Sequence, residues 1–434
     1  MRSMVEREAP SPDAVRGHLL LSIPLRPGSA GPPLPRGRGL AHTCSMPSPA
    51  DALTARAIDI LARLVSFDTT SRGSNLALID WVEAYLAEHG VASRRITNHD
   101  GDKSNLLASV GPAVAGGVVL SGHTDVVPVD GQPWTSDPFA LTERDGRLYG
   151  RGAADMKGFI ALALAAVPDF AAVKRPVHLA LSYDEETGCF GAPDMIAVIA
   201  RDLPRPALVV VGEPSGMVPV SGHKGAAFFR VVVTGREAHS SQPHLGVSAN
   251  MAAAELIAAL TALAADLDAK ADPASPFEPK GSTLTIGRID GGTAANILAR
   301  RCEIVFDLRC APGQRALDLL DGFRAQVADL DARLKVREAE ASAVFEIIAD
   351  VPPMAPEADG AAEAFVRGLT GDNSPMRVVP YAAEGGQFQG AGFSTVICGP
   401  GFIDQAHQPD EYVAVEQMRR GAAFMLRLAA ALGA

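Results

Sequence analysis

The sequence predicts an α/β protein in which a mostly parallel sheet is interrupted along the chain by an inserted α+β domain. Three apolar runs, 117–121, 177–182 and 208–211, have the composition of strands buried on both faces, and helical patterns separate them. Midway along the chain the strands alternate apolar and polar residues, as in antiparallel sheets with one solvated face. The first pattern returns after about residue 338, so the domain with the parallel sheet is discontinuous.

The first elements follow a segment of different composition. Residues 1–46 are rich in proline and arginine and lack helical periodicity, so we expect a disordered segment or a gene-model extension outside the fold. Apolar residues then recur at helical spacing over 53–64 and 78–86. Further helices are predicted at 156–170 and 192–200, between the buried strands.

The inserted domain is predicted at 221–337 from the change of periodicity. Its elements follow a strand-helix-strand-strand-helix order. The strands are predicted at 226–234, 282–289 and 301–309, and the helices at 247–267 and 316–334. The first domain then comprises 47–220 and 338–434, with a strand at 394–398 and a final helix from about residue 415.

Composition and charge exclude several classes of protein. The 434 residues carry a net charge of −11 and no dense basic stripe, so a nucleic-acid partner has no electrostatic support. The longest apolar run, 159–167, is shorter than the roughly 18 residues of a membrane span, so we expect no membrane partner. The 5 cysteines form no CxxC pair, which argues against thiolate zinc sites and a disulfide framework and favours a cytoplasmic location.

Histidine and acidic side chains follow three of the predicted buried strands. VVLSGHTD reaches His123 and Asp125, SYDEE reaches Glu185 and Glu186, and VVVGEP reaches Glu213. Because ligands bind at the carboxyl ends of strands in open α/β sheets, we expect these groups to converge on one site.

Each of these groups has a simpler explanation when it is taken alone. Asp155 at the start of a predicted helix fits an N-cap, and His123 fits a buried core histidine. The pair Glu185 and Glu186 fits a solvated strand end. Several carboxylates at one sheet edge would, however, repel one another unless a multivalent cation neutralised them. The combination therefore predicts a metal site.

Charge balance favours two metal ions. The carboxylates of Asp155, Glu186 and Glu213, together with a bound hydroxide, would balance the charge of two Zn²⁺ ions. His123 can give one ion a neutral imidazole, and His407, in a loop flanked by glycine and proline, is the candidate for the other. These donors suit Zn²⁺, for which Co²⁺ or Mn²⁺ can substitute.

Two further carboxylates have different predicted roles. Asp125 lies two residues from His123, so in an extended chain it faces the same way and can accept the other imidazole N–H. Glu185 would point away from Glu186 in a strand. A glutamate left free beside a metal site can act as the general base of a hydrolase.

As an ordered set, these motifs resemble the zinc-dependent aminoacylase and carboxypeptidase superfamily, which includes deacetylases and desuccinylases of amino acids. The segments that carry the resemblance, between about residues 50 and 434, are SGHTDVVPV, GRGAADMKG, SYDEETG, GEPS and QAHQPDEYV. The resemblance implies a discontinuous, mostly parallel-sheet catalytic domain with a two-zinc site bridged by one aspartate. The implied ligands are Asp155 as the bridge, His123 and Glu213 on one ion, and Glu186 and His407 on the other. It also implies Glu185 as the base, Asp125 as the residue that orients a ligand, and a cis peptide bond at Asp155–Met156.

For the inserted domain, the resemblance implies a lid that also forms a homodimer. His239, in REAHSSQP, matches a histidine that reaches the site of the other subunit and polarises the scissile carbonyl. Asn296 and Arg309 match a substrate-binding pair, and a guanidinium fork suits a substrate carboxylate. Without the resemblance, Arg309 would be assigned to a surface ion pair and His239 to an exposed loop.

The segment YAAEGGQFQGAGFSTVICGPGFIDQAHQPDEYV resembles the deacetylases more than the desuccinylases. The resemblance therefore implies hydrolysis of a small N-acyl amino acid, N-acetyl-L-ornithine, to L-ornithine and acetate in arginine biosynthesis. Glu384 and Gly385 are candidate substrate-binding residues, with Glu384 facing a cationic side chain. The alternatives are a succinyl-diaminopimelate desuccinylase, a broad aminoacylase or dipeptidase, and a non-catalytic metal-binding scaffold, against which the presence of Glu185 and a full ligand set argues.

Overall fold

A computed structural model describes residues 48–434, and the prediction for residues 1–46 lies outside these described residues. The α-helices are α1 Pro49–Val65, α2 Leu76–Glu88, α3 Gly158–Ala165, α4 Val167–Phe170, α5 Ala192–Asp202, α6 Ala249–Ala269, α7 Ala316–Leu319, α8 Asp321–Arg337, α9 Ala361–Thr370, α10 Gly385–Gly390 and α11 Val415–Gly433. The first helix begins at a capping box, because the Ser48 hydroxyl accepts the Asp51 N–H at 3.1 Å while the Asp51 carboxylate accepts the Ser48 N–H.

The strands, in chain order, are β1 Ser93–Thr97, β2 Ser104–Val110, β3 Val118–His123, β4 Thr142–Arg144, β5 Arg147–Tyr149, β6 Val177–Ser182, β7 Leu208–Pro214, β8 Gly222–His223, β9 Gly225–Thr234, β10 Thr283–Gly291, β11 Arg301–Cys310, β12 Ser342–Val351, β13 Val378–Val379, β14 Thr395–Gly399 and β15 Tyr412–Ala414. They form a six-stranded sheet, a four-stranded sheet and two small sheets, β13 with β8 and β15-β5-β4.

The six-stranded sheet has the order β1-β2-β6-β3-β7-β14, and its last four strands run parallel. Both faces of these strands are buried. Leu120 faces a core that includes α1, α3 and α11, and the next residue back, Val119, faces a second core with α5 and α10. This arrangement explains the continuous apolar runs, and it confirms the predicted fold class, a mostly parallel sheet between helices.

The four-stranded sheet has the order β10-β11-β9-β12 and is antiparallel throughout. Helices α6 and α8 cover one face, where their apolar residues share a core with alternate residues of the strands. The predicted end of the insertion near residue 338 is wrong by one strand, because β12 pairs along its length with β9 in this sheet. Long-range pairing decides this boundary, and the weak alternation of β12 did not reveal it.

Helix α6 is the one helix among residues 48–434 that is long and apolar enough to cross a membrane by length and composition. In the structure it lies on the inserted sheet. Its buried residues, which include Ala253, Leu256 and Leu260, pack in the core of that sheet.

Candidate metal centre

The five predicted metal ligands come from neighbouring strands of the parallel sheet and the segments beside them. His123 is the last residue of β3, and Glu213 lies near the end of β7. Glu186 follows β6, and His407 follows β14. Since β6, β3, β7 and β14 are adjacent and parallel, their carboxyl ends meet at one edge of the sheet, as predicted.

Asp155 completes the group from a turn that leads into α3. Residues 153–157 form a short irregular helical turn, in which Asp155 has non-helical dihedral angles of φ −120° and ψ 91°. The Asp155–Met156 peptide bond is cis, as the resemblance implied. The predicted helix from residue 156 therefore begins as α3 at Gly158, after this turn.

Asp155 joins the ligands into two clusters. Its Oδ1 lies 3.0 Å from His123 Nε2, which is 3.8 Å from an oxygen of Glu213. Its Oδ2 lies 3.4 Å from His407 Nε2, which is 3.0 Å from an oxygen of Glu186. In each cluster the three candidate ligand atoms lie within 4.8 Å of one another. The geometry thus places one carboxylate oxygen of Asp155 in each of two adjacent three-ligand groups.

The electrostatics of these groups fit divalent cations. Burial and the negative charge of Asp155 raise the pKa of Glu213. Hydrogen bonds to Asp155 and Glu186 raise the pKa of His407 to about 10. Buried negative charge contributes to both pKa shifts, and bound cations would neutralise it. Carboxylate oxygens and imidazole nitrogens are also donors that Zn²⁺ accepts.

Glu185 belongs to neither cluster among the described residues. The strand β6 ends at Ser182, so Glu185 and Glu186 lie in a turn and not in the extended strand that was predicted. The Cys189 thiol approaches a Glu185 oxygen at 3.4 Å. Burial, together with the neighbouring carboxylates, raises the pKa of Glu185. The influence of His123, Glu186 and Asp155 on this pKa places the Glu185 carboxylate near both clusters.

Asp125 makes different contacts from those predicted. The His123 Nδ1–H donates to the main-chain carbonyl of Asp125 at 2.9 Å, while the carboxylate oxygen lies 3.7 Å from that nitrogen. The carboxylate instead accepts the N–H groups of Glu185 at 3.1 Å and Glu186 at 3.3 Å, and the Ser71 hydroxyl at 2.7 Å. Asp125 thus holds the His123 imidazole through its main-chain carbonyl and the turn with Glu185 and Glu186 through its side chain.

The predicted residues of the inserted domain lie apart from the clusters. His239 is exposed and forms an isolated β-bridge with Ile297, the residue after Asn296. Arg309, on β11, pairs with Asp307 at 2.8 Å. Within residues 48–434, these predicted residues form no hydrogen bond or ion pair with the five ligands, so the structure brings His239 close to Asn296 but not to the sheet edge.

Glu384, predicted to face a cationic substrate, lies in the interior beneath the predicted ligands. Its side chain is buried, and its two oxygens accept the hydroxyls of Ser121 (at 2.9 Å) and Ser182, on adjacent strands of the sheet. Gly385 is also buried, and a Cβ there would lie 2.7 Å from the sulfur of Met354. Both residues therefore contribute to the packing beneath the site.

Sequence patterns did not single out several residues around the clusters. A cavity of about 360 Å³ is lined by Tyr381, Arg377 and Asp404, and by Pro214, which follows the ligand Glu213. Burial and the negative charge of Glu213 raise the pKa of the Tyr381 phenol, which places that ring near the metal ligands. Arg151 and Glu411 form a buried ion pair at 2.7 Å. Each lies within one of the sequence motifs, but the motifs do not indicate that the two residues pair.

Two three-ligand clusters that share an aspartate, with a free glutamate alongside, define a metal-dependent hydrolase site at the edge of an α/β sheet. The chain belongs to Peptidase family M20/M25/M40, whose profile matches residues 119–431. It is accordingly a metal-dependent hydrolase that acts on amide bonds.

Several curated relatives of this chain are acetylornithine deacetylases. The chain is 36% identical over 387 residues to the acetylornithine deacetylase of Myxococcus xanthus, covering 85% of this chain and 96% of that protein. It is also 36% identical over 350 residues to the acetylornithine deacetylase of Proteus mirabilis, covering 80% and 87% respectively.

Solved structures with the same fold are more distant in sequence. Human carnosine dipeptidase 1 superposes with a TM-score of 0.68 at 18% identity, covering 88% of this chain and 98% of that one. A dinuclear metal binding peptidase of family M20 from Bacillus subtilis gives a TM-score of 0.56 at 16% identity, covering 87% and 98%. These likenesses support the fold.

Proposed function

We propose that this protein deacetylates N-acetyl-L-ornithine to L-ornithine and acetate, in the cytoplasm and as a step of arginine biosynthesis. The observation that carries the proposal is the pair of clusters sharing Asp155, with Glu185 free beside them. The named relatives, both acetylornithine deacetylases, support the choice of substrate. The four cysteines within residues 48–434 are unpaired and buried, which suits a reducing compartment.

The proposed cofactor is a pair of Zn²⁺ ions, for which Co²⁺ or Mn²⁺ can substitute. His123, Asp155 and Glu213 would hold one ion, and Asp155, Glu186 and His407 the other. When bound, such ions supply Lewis acidity, which polarises a carbonyl and lowers the pKa of water. The residues then have to position the substrate and transfer protons.

Glu185 is the proposed general base. Its carboxylate takes a proton from the attacking water as the water oxygen bonds to the acetyl carbonyl carbon. The carbon–nitrogen bond then breaks, and Glu185 returns the proton to the leaving amine, so one water is consumed and acetate and a free amine are released. No covalent bond to the protein forms in this sequence.

The cavity beside Glu213 supports an amino-acid substrate with a charged side chain. It presents a guanidinium from Arg377 and a carboxylate from Asp404, which are complementary to the carboxylate and the ammonium group of N-acetylornithine. Asp404 can therefore take the role predicted for Glu384, whose oxygens face Ser121 and Ser182.

Residues of the inserted domain complete the proposal. Asn296 and Arg309 are proposed to contact the substrate, and His239 of the partner subunit of a homodimer is proposed to polarise the acyl oxygen. The exposure of His239, away from the clusters of its own chain, supports a role across subunits. An oxyanion donor of this kind contributes about 2.7–4 kcal/mol to the transition state where it has been removed in other enzymes.

The first test is steady-state hydrolysis by the zinc-loaded protein of N-acetyl-ornithine, N-succinyl-diaminopimelate and a neutral N-acetyl amino acid. We expect the highest kcat/KM for N-acetyl-ornithine. Glu185→Gln should lose about 10²- to 10⁴-fold of kcat while still binding zinc, because only proton transfer is removed.

The matched control is Glu363→Gln, which changes a half-buried glutamate paired with Arg367 at 2.8 Å, away from the metal ligands. Faster turnover of one of the other two substrates would contradict N-acetyl-ornithine as the substrate but would leave the proposed mechanism unaffected. A Glu185→Gln protein as active as wild type would reject Glu185 as the base.

A further inference from the structure

We propose that Arg151, Glu411 and Gln132 form a positioning unit that holds the ligands Asp155 and His407 in register with each other. This role rests on the proposed two-metal function. Arg151, Glu411 and Gln132 would act through the ligands, without contacting substrate or metal. The unit joins two segments of chain, the turn before α3 and the loop after β14, through side-chain to main-chain hydrogen bonds.

At the Asp155 end, the contact is made by Glu411. Its Oε1 accepts the N–H of Ala154 at 3.0 Å and the N–H of Asp155 at 3.1 Å. These main-chain groups lie at the start of an irregular turn, where no helical acceptor is available to them. Glu411 therefore fixes the backbone from which the Asp155 side chain reaches both clusters.

At the His407 end, the contacts come from Arg151 and Gln132. Arg151 donates to the Glu411 carboxylate at 2.7 Å, to the Gln408 carbonyl at 3.3 Å and to the Gln132 side-chain oxygen. Gln132 in turn donates from Nε2 to the His407 carbonyl at 2.9 Å. The backbone of His407 is thus tied to the same guanidinium that holds Glu411.

His407 needs such a tether more than the other ligands do. Its side chain is 50% exposed, whereas those of His123, Asp155, Glu186 and Glu213 are at most 7% exposed. Packing therefore fixes the four buried ligands, and hydrogen bonds to the backbone of its loop have to fix His407.

The burial of the ion pair between Arg151 and Glu411 also supports a positioning role. The side chains of Arg151 and Glu411 are each 1% exposed, and a buried ion pair is stabilising only when further hydrogen bonds satisfy both partners. Here those further bonds run to the backbones of Asp155 and Gln408, next to His407. An apolar pair could fill the same volume, but it could not hold these main-chain groups.

Two variants separate the parts of the unit. Arg151→Lys keeps the positive charge but loses the planar fork that reaches four partners, the Pro128 carbonyl among them. Both zinc affinities should therefore fall about 10- to 100-fold, as for other residues that support metal ligands. Gln132→Met removes the bond to the His407 carbonyl together with the oxygen that accepts from Arg151 and Trp134, but it leaves the Glu411 bonds to the backbone of Asp155 in place. It should weaken one zinc-binding step by a similar factor, the step that His407→Ala abolishes, and leave the other unchanged.

The measurement is titration of Zn²⁺ into the metal-free, full-length protein in competition with a chromophoric chelator, with the melting temperature of the metal-free form recorded alongside. Arg367→Lys is the matched control for the arginine, since Arg367 also bonds a carboxylate, Asp372 at 2.7 Å, and a carbonyl, Ser374 at 2.9 Å. Gln389→Met is the control for the glutamine, because Gln389 braces the backbone of Ala355 at 2.8 Å. Both controls should retain wild-type zinc affinities.

Zinc affinities that fall in the two variants and not in the controls support the positioning unit. A lower melting temperature with unchanged zinc affinities overturns it and makes the unit merely structural. Wild-type protein that binds no zinc overturns the proposed function together with this inference, whereas wild-type protein that binds two zinc ions beside unaffected variants overturns this inference alone. If Arg151→Lys does not fold, Gln132→Met decides.

Discussion

The Asp125 carboxylate shows how a residue can serve a site that it does not enter. It accepts hydrogen bonds from the N–H groups of Glu185 and Glu186 and from the Ser71 hydroxyl. These bonds set the turn on which the proposed base and a proposed ligand stand side by side. The buried Asp125 carboxylate therefore fixes the backbone positions of Glu185 and Glu186.

Replacing Asp125 should consequently reduce turnover. In Asp125→Asn an amide NH₂ faces one of the main-chain N–H groups, so the turn shifts, and we expect deacetylation kcat to fall about 10- to 100-fold. Ser71→Ala, which leaves both carboxylate oxygens in place, serves as the control and should lose much less. Equal rates for Asp125→Asn and wild type in the same steady-state assay would contradict the role assigned to the turn.

A second residue-scale prediction concerns His178, which lies on β6, outside the metal centre. Burial lowers its pKa from 6.5 to about 4, and its Nδ1 pairs with the Ser109 hydroxyl at 2.8 Å. In the unfolded chain His178 is protonated as the pH falls below 6.5, whereas in the folded chain it is protonated only as the pH falls below about 4. Stability from this residue is present above pH 6.5 and is lost as the pH falls through that window.

Urea unfolding at pH 7.5 and pH 5 tests this sign. His178 should account for about 2 kcal/mol of the stability that wild type loses between these values. His178→Gln cannot titrate, so its loss should be smaller by that amount, whatever its stability at pH 7.5. Equal losses in the two proteins would show that His178 is protonated in the folded state.

The sequence predicts the position of a site residue when a local pattern fixes that position, and it does not when contacts with distant residues fix it. His123, Glu186 and Glu213 were predictable because each follows an apolar run, and parallel strands bring such ends together. The hydrogen bonds of Glu384 were not predictable, because its partners, Ser121 and Ser182, lie far away in sequence and carry no pattern. Side-chain direction at such a position is a tertiary property.

At the scale of elements, the contact between β7 and α3 limits what the site can tolerate. A Cβ on Gly212, next to the ligand Glu213, would lie 2.1 Å from the ring of Phe159 and 2.6 Å from the Met156 methyl. Phe159 is buried in α3, and Met156 follows the bridging Asp155. The absence of a side chain at one strand position thus sets the spacing between two metal-ligand segments.

Gly212→Ala should therefore destabilise the fold by overpacking, by about 1–3 kcal/mol. Gly368→Ala is the matched control, because Gly368 lies in helix α9 with no atom near its Cβ position, and there alanine should stabilise by up to about 1 kcal/mol. The free energy of unfolding in urea measures both. A Gly212→Ala protein as stable as wild type would show that α3 can move away from the sheet.

Periodicity predicted most of the longer elements, and among those that it missed, the strand β12 has a physical cause. The strand β12 carries Ser342, Glu346 and Asp350 between its apolar residues and lies at an edge of its sheet. Its pairing with β9 adds a strand to the insertion that local pattern alone did not require. Edge strands are half solvated, so their sequences constrain the fold weakly.

At the scale of the whole molecule, metal binding and stability should be linked. The clusters hold several carboxylates that repel one another until cations bind, and cations that bind only the folded state stabilise it. At free zinc about 1,000 times the dissociation constant, this linkage contributes about 4 kcal/mol. Removing metal with a chelator should therefore lower the melting temperature, and added zinc should restore it.

The control for this prediction is Asp155→Asn, because Asp155 belongs to both clusters. Its melting temperature should not respond to chelator or to zinc. If wild type and Asp155→Asn responded alike in differential scanning calorimetry, the stabilising zinc would have to lie elsewhere on the protein.

The order of the strands has a consequence for how the protein is made. β14 completes the sheet beside β7, yet the whole inserted sheet is synthesised between them. A ribosome that has delivered β7 has already exposed His123, Asp155 and Glu213, whereas His407 and Glu411 emerge with the last elements of the chain. The ligands of the two clusters are thus synthesised at different times. The nascent chain contains all three ligands of the His123 cluster long before it contains His407, which the second cluster requires.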